Sequence, residues 1–115
     1  WFTPPFRARR KDLMERVAAM IASTPAAGYV GCCHALPKIN VTDRLRDVRC
    51  PALVIVGEDD PGTPVAMARE IHAALPAADL AVLCRASHLS NLEQPQEFNR
   101  ALAAFLDKVT GRTKL

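Results

Sequence analysis

The stretch that decides the fold is Pro51-Ala-Leu-Val-Ile-Val-Gly57-Glu-Asp-Asp60-Pro-Gly-Thr-Pro64. Its apolar run, residues 52–56, is rich in β-branched side chains and too short for a helix. It therefore predicts a strand buried on both faces, as in the middle of a parallel sheet. A Pro-Gly turn follows two aspartates, and Thr63 before Pro64 predicts a helix start. Asp60 would then lie just beyond the carboxyl end of a parallel strand, where open α/β sheets carry their functional groups.

The segments around this stretch predict one βαβ unit with further helices beside it. Residues 63–75 show helical spacing of apolar side chains, and residues 80–83 form a second apolar strand. Strand, helix and strand then make one parallel unit whose crossover should be right-handed. Further helices are predicted over residues 11–22, 27–36 and 95–109, the last with Gly111 as its C-cap and a frayed tail over residues 112–115.

Composition excludes several classes of function. Half of the 115 residues are hydrophobic and 23% are charged, so the chain is globular, with room for one domain or part of one. The net charge of +3 comes without a long basic run, so no nucleic-acid partner is expected. No apolar stretch reaches the roughly 18 residues of a membrane span, so no membrane partner is expected either. The first residue is Trp1, which suggests a processed or truncated chain.

The four cysteines indicate a reducing compartment rather than a metal site or a disulfide framework. No C-x-x-C pair occurs among Cys32, Cys33, Cys50 and Cys84. The adjacent Cys32 and Cys33 cannot present the usual spacing of zinc ligands. We therefore expect free thiols in the cytosol and no bound metal ion.

Two side chains could carry chemistry, Asp60 after the first strand and His88 after the second. If the strands are parallel, both loops leave the same edge of the sheet. An imidazole there could donate one N–H to the carboxylate and use its other nitrogen as a base. Acidic strand-end loops and single histidines are common, however, so a purely structural role stays open for both. Asp59 is expected to be a turn residue, and His34 and His72 are expected to be structural.

Several segments of the chain resemble the α/β-hydrolases. Gly57-Glu-Asp-Asp60-Pro-Gly-Thr-Pro64 resembles the acid loop of that family. His88-Leu-Ser-Asn-Leu-Glu-Gln-Pro95 resembles the histidine loop of one subgroup, the 3-oxoadipate enol-lactonases. Trp1-Phe-Thr-Pro4 and Gly28-Tyr-Val-Gly-Cys-Cys33 are similar to that subgroup's cap and cap exit. The resemblance covers nearly the whole chain, to about Val109.

The resemblance implies an α/β fold, namely the C-terminal part of an α/β-hydrolase. This part would hold the last parallel βαβ unit and the final helix, together with the end of a helical cap. Residues 1–26 would be the end of the cap, and residues 27–115 the C-terminal part of the core. The family's G-x-S-x-G nucleophile elbow is absent. Gly31-Cys-Cys33-His-Ala35 mimics such an elbow, but no buried strand is predicted before it, so we expect both cysteines to pack.

The activity that the resemblance implies is cofactor-free serine hydrolysis of 3-oxoadipate enol-lactone in bacterial aromatic catabolism. Asp60 would be the triad acid and His88 the base. The serine and the oxyanion hole would come from a missing N-terminal half, so the chain alone should be inactive and should pair with that half or with itself. Trp1 and Phe2 could line the substrate pocket, with packing under the cap as an equal alternative. A solvated face, rather than a substrate carboxylate, is expected for Arg7, Arg9 and Arg10.

Two other functions stay open at this stage. One is a different hydrolase activity on the same triad, such as that of an esterase or a C–C hydrolase, which the His88-Leu-Ser-Asn91 segment weakly disfavours. The other is a non-catalytic half-domain that serves as an interaction piece. A panel of ester and lactone substrates separates the first alternative from the enol-lactonase reaction.

Overall fold

The computed structural model describes residues 1–111 and divides them into two compact units. One unit is Pro4–Val41, and the other joins Trp1–Thr3 to the residues from Thr42 onward. The units therefore divide between residues 3 and 4 and between residues 41 and 42, while the predicted division into residues 1–26 and 27–115 stays a prediction. The naming of these parts as cap and core stays a prediction. The tail predicted over residues 112–115 lies outside the described residues.

The unit Pro4–Val41 is built from helices. They are α1 (Pro4–Arg9), α2 (Lys11–Ala22), α3 (Ala26–Ala35) and a 3-10 turn (Leu36–Lys38). Phe6 of α1 and Val17 of α2 are buried. In α3 the side chains are exposed, including those of Tyr29 and Val30. Cys33 lies inside α3, which rules out the strand-to-helix elbow that its sequence mimics.

The second unit contains the sheet. Its elements are a 3-10 turn (Thr42–Asp47), β1 (Ala52–Gly57), α4 (Val65–Ala74), β2 (Ala78–Leu83), α5 (Ser90–Glu93) and α6 (Pro95–Thr110). The two strands are parallel neighbours, in register from Ala52 opposite Ala78 to Gly57 opposite Leu83. The predicted parallel βαβ unit is therefore confirmed. Gly111 ends α6 in the left-handed region, with a φ of 68°, and the predicted C-cap is confirmed as well.

The interior of this second unit is small. Its buried apolar side chains include Val56 of β1, Leu83 of β2 and Ala68 of α4. The prediction that β1 is buried on both faces is wrong for residues 52–55, which are only half-buried. The physical reason is that the described sheet has two strands, and such a pair buries little surface by itself.

Helix α6 keeps part of its apolar stripe exposed. Leu102, Leu106 and Val109 have exposed fractions between 37% and 48%. Near the end of the helix, Lys108 donates to both carboxylate oxygens of Asp79, at 2.7 and 2.8 Å, and so ties α6 to β2. No helix among residues 1–111 combines the length and the apolar character that crossing a bilayer requires.

Candidate active site

The loop after β1 is organised around the carboxylate of Asp60. Oδ1 accepts hydrogen bonds from the amides of Gly62, at 2.9 Å, and Thr63, at 3.1 Å, while Oδ2 accepts one from the Thr63 hydroxyl at 2.7 Å. Such a side chain, bonded to the backbone two and three residues ahead, closes a tight turn. Thr63 is therefore not the N-cap of the helix whose start it predicts. Its hydroxyl serves Asp60, Pro64 occupies the N-cap position, and α4 begins at Val65.

The loop after β2 passes directly over Gly57, the last residue of β1. A Cβ atom on Gly57 would lie 2.3 Å from the carbonyl oxygen of Ser87 and 2.4 Å from that of Ala86. The Asp59 amide also donates to the Ala86 carbonyl at 2.9 Å, so the two loops are joined by backbone hydrogen bonding. This close approach requires glycine at the end of the strand, because any side chain would push the loops apart.

A left-handed residue starts the loop after β2. Arg85 has a φ of 55°, a region that non-glycine residues seldom adopt, and it directly follows the exposed Cys84. The Gln94 side-chain amide donates to the Arg85 carbonyl at 3.3 Å, which supports the turn from its other side. After the turn at Arg85, the backbone of Ala86 and Ser87 passes over Gly57, and His88 follows directly.

These two loops bring Asp60 and His88 together. The Nδ1 atom of His88 lies 2.8 Å from Oδ2 of Asp60. With the carboxylate ionised, Nδ1–H is the donor, which leaves Nε2 of the neutral imidazole as a free base. The Asp60 side chain is 4% exposed, whereas that of His88 is 44% exposed. A buried acid thus orients a histidine that solvent can reach, and the exposed Asp59 is not its partner.

The environment of Asp60 favours the charged form. Burial works to raise its pKa, but the hydroxyl and amide of Thr63, the ring of His88 and the amide of Gly62 all donate to the carboxylate. Together these hydrogen bonds hold the pKa of Asp60 well below its usual range. Asp60 is therefore a carboxylate at any pH at which the histidine could act as a base.

Asp60 should stabilise the fold in a pH-dependent way. Its folded pKa lies below the unfolded value of about 3.9, so its contribution is present above that value and is lost as the pH falls through the folded pKa. The difference in free energy of unfolding between wild type and Asp60→Asn should therefore hold near pH 5 and shrink below about pH 4. Urea unfolding over this range measures it, with the exposed Asp59→Asn as the matched control. A difference that grows on acidification would contradict the assignment.

The other predicted site residues are placed as follows. Trp1 is 58% exposed, and its ring centroid lies 6.2 Å from that of His88, at an interplanar angle of 36°. Phe2 is half-buried in the same N-terminal segment. His72 is a structural residue, as expected, since its Nε2 lies 3.1 Å from the Ala78 carbonyl oxygen. His34 is exposed on α3.

The arginines and the metal-ligating residues give no further site. Arg10 donates two hydrogen bonds of 3.0 Å to the Asp12 carboxylate, and both side chains are exposed, as the prediction of a solvated face requires. The four cysteines are free and exposed, so the expectation that Cys32 and Cys33 pack is wrong. Within residues 1–111, His, Cys, Asp and Glu side chains form no group of three or more that could hold a metal ion.

One buried polar residue near the histidine, Glu93, was not predicted from the sequence. Glu93 is 7% exposed and accepts hydrogen bonds from the Ser87 amide and from Thr3. Its spacing from Ser90 is that of a capping box, which indicates a local role at the start of a helix. The contact with Thr3 joins residues 90 positions apart, so no local pattern could have predicted it.

The two loops lie in a part of the chain that matches a known protein family. The alpha/beta hydrolase family matches residues 1–101, which include both loops. The chain belongs to the alpha/beta hydrolase family. The parallel βαβ unit and the helices of this chain make up part of that fold, as the sequence predicted.

Relatives of this chain include enol-lactonases. 3-Oxoadipate enol-lactonase 2 of Acinetobacter baylyi is 39% identical over 108 residues, which cover 94% of this chain and 40% of the relative. 3-Oxoadipate enol-lactonase 1 of the same species is 32% identical over 109 residues, 95% of this chain and 41% of the relative. The crystal structure of the enol-lactonase from Burkholderia xenovorans LB400 superimposes with a TM-score of 0.88 at 29% identity, over 92% of this chain and 40% of that one.

The chain therefore spans about two fifths of the length of the relatives that it matches. The predicted resemblance to the 3-oxoadipate enol-lactonases is confirmed over nearly all of its residues. Catalytic roles for Asp60 and His88, and pocket roles for Trp1 and Phe2, stay predictions at this point.

Proposed function

We propose that this chain supplies the acid and the histidine of a serine hydrolase that opens 3-oxoadipate enol-lactone to 3-oxoadipate. The observation that carries the proposal is the 2.8 Å hydrogen bond between Asp60 and His88 at the carboxyl ends of two parallel strands. It is supported by the similarity of the chain to two enol-lactonases at 39% and 32% identity. The serine and the oxyanion hole belong to polypeptide outside these 115 residues.

The proposed reaction begins with a serine hydroxyl placed within about 3 Å of Nε2 of His88. The serine oxygen attacks the lactone carbonyl carbon while Nε2 takes its proton, and Asp60 stabilises the imidazolium that forms. The tetrahedral oxyanion is held by donors outside this chain. The C–O bond to the enol oxygen then breaks, and His88 returns its proton to the departing enolate, which tautomerises to the ketone.

The second half of the reaction releases the acyl group. Nε2 of His88 takes a proton from water, whose oxygen attacks the acyl-serine carbonyl. The C–O bond to serine breaks, the serine oxygen recovers the proton from His88, and the carboxylic acid leaves.

A substrate panel tests the choice of lactone over other esters. The longer enzyme that carries this chain is assayed with 3-oxoadipate enol-lactone, an activated aryl ester and a vinylogous 1,5-diketone that reports C–C hydrolysis. The proposal expects the largest kcat/KM for the enol-lactone. A larger value for the ester or the diketone would assign the same triad to an esterase or a C–C hydrolase.

The chain by itself should have no hydrolase activity. His88 and Asp60 can only activate a nucleophile that other residues hold in place. Its serines offer none, since Ser87 and Ser90 are buried and Ser23 follows a helix rather than a strand. Hydrolysis of an activated ester and of the enol-lactone by the purified chain, confirmed by mass, is the measurement. Turnover that disappears in His88→Ala would show that a nucleophile is present, and Cys33 would be the first candidate.

The partners in this proposal are a lactone or ester substrate and the polypeptide that completes the fold. In the absence of that polypeptide, self-association is expected, because Leu102, Leu106 and Val109 are exposed and the sheet formed by residues 1–111 has two strands. We also propose a cytoplasmic location, which suits four free cysteines. The proposed function involves neither nucleic acid nor a membrane.

A further inference from the structure

Glu93 is a buried carboxylate that the proposed reaction does not use. It is 7% exposed, at the end of α5. Oε1 accepts hydrogen bonds from the amide of Thr3, at 2.8 Å, and from its hydroxyl, at 2.7 Å, and Oε2 accepts one from the Ser87 amide. Removing a carboxylate from water is costly unless its oxygens are well bonded. All three donors to Glu93 are neutral groups, so no ion pair explains its burial. The donors belong to two segments that are distant in sequence, and Glu93 joins these segments.

The two segments meet on either side of the histidine. Ser87 immediately precedes His88, and Thr3 belongs to the N-terminal segment Trp1–Thr3. A second bond reinforces the junction, because the amide of Leu89, the residue after His88, donates to the Trp1 carbonyl at 3.0 Å. Both neighbours of the histidine are therefore fastened to Glu93 or to the segment that Glu93 holds.

The junction places an aromatic ring beside the histidine. The Trp1 and His88 rings are 6.2 Å apart between centroids, and both are open to solvent. At about this distance the face of an indole attracts a cation, so it favours the imidazolium that forms when a histidine takes a proton.

We propose that Glu93 is a positioning residue. It clasps Trp1–Thr3 to the loop that carries His88, and so holds the Trp1 indole against the imidazole as one wall of the substrate site. Asp60 fixes the histidine through its ring, and Glu93 fixes it through its backbone. The catalytic role of this clasp rests on the proposed function. The clasp itself, the hydrogen bonds of Glu93 to Thr3 and Ser87, does not depend on it.

The clasp can be tested without any turnover, because Trp1 is the only tryptophan of the chain. A protonated imidazole next to an indole quenches its fluorescence. Trp1 emission of the purified chain should therefore fall in a step on acidification, and His88→Ala should abolish this step while the chain keeps His34 and His72. A wild-type chain without a step that depends on His88 would overturn the proposal.

Glu93→Gln is the decisive variant. The amide replaces one acceptor oxygen by an NH₂ group, which faces an N–H or O–H donor instead of accepting from it. We expect the quenching step to lose most of its amplitude and the emission of Trp1 to shift towards that of a fully hydrated indole. Glu97→Gln is the matched control, since Glu97 is an exposed residue of α6 paired with Arg100. It should leave the step unchanged.

A milder variant covers the case in which Glu93→Gln does not fold, as judged by circular dichroism. Thr3→Val removes the hydroxyl donor and keeps the Thr3 amide, so it should reduce the quenching step without abolishing it. An unchanged step in Thr3→Val, or in a folded Glu93→Gln, would overturn the proposal.

The longer enzyme gives the catalytic readout. There Glu93→Gln should lower kcat by on the order of 10–100-fold, since small displacements of a catalytic group are costly, with a smaller change in KM. An intact clasp in an enzyme that hydrolyses no lactone would refute the proposed function and leave the clasp standing. A lost clasp with full lactone turnover would refute the positioning role alone.

Discussion

In the proposed enol-lactonase, Asp60→Asn should lower kcat for the lactone by about 10⁴-fold, with little change in structure. The carboxylate accepts the Nδ1–H of His88, and this bond keeps Nε2 free for the nucleophile's proton. Asparagine has nearly the same shape but can present its NH₂ group to Nδ1. The imidazole would then carry its proton on Nε2, where a base is needed, and no charge would stabilise the imidazolium.

The control for this effect is the neighbouring residue. Asp59→Asn removes an exposed carboxylate one position away, and kcat should stay within a few-fold of wild type, as for an ordinary surface change. Steady-state kinetics of both variants give the comparison. A large loss for Asp59→Asn with little loss for Asp60→Asn would show that the acid has been assigned to the wrong aspartate.

Gly57→Ala should cost about 3 kcal/mol or more of folding free energy, the upper part of the range for overpacking a filled site. The added Cβ would lie within 2.7 Å of three backbone atoms of Ala86 and Ser87, none of which can turn aside as a side chain does. The two loops would have to separate, which would also lengthen the hydrogen bond between Asp60 and His88. Urea unfolding of the purified chain measures the loss of stability.

Gly28→Ala is the matched control for that substitution. Gly28 lies within α3, and a Cβ there meets nothing within 4 Å. Alanine should therefore leave stability unchanged or raise it by roughly 0.5–1 kcal/mol, because it favours the helix over the unfolded chain. Equal effects at Gly57 and Gly28 would show that the loops do not approach each other as closely as described.

The elements of this chain could be predicted because their signals are local. The helix predicted over residues 11–22 is α2 with the same bounds, and the first predicted strand is β1 to within one residue. Apolar periodicity and the prolines and glycines between segments carry this information. The pairing of Asp60 with His88 also followed from local patterns, since two parallel strands end at the same edge of a sheet.

What the sequence could not predict depends on contacts between distant residues. Thr63 has the pattern of a helix cap, yet its hydroxyl bonds to Asp60, because a buried carboxylate is the stronger acceptor. Glu93 has the pattern of a capping box, yet its partners lie at Thr3 and Ser87. The division of the chain after Val41 depends in the same way on packing that no pattern of neighbouring residues records.

The central claim is that Asp60 holds His88 as a base, and ¹⁵N NMR of the histidine ring nitrogens in the purified chain tests it most directly. The ring of His88 is identified by its loss in His88→Ala. At a pH where the imidazole is neutral, the account predicts a proton on Nδ1 and none on Nε2, because Nδ1–H donates to Oδ2 of Asp60. Asp60→Asn should move that proton to Nε2. A wild-type His88 protonated on Nε2, and unaffected by Asp60→Asn, would contradict the account.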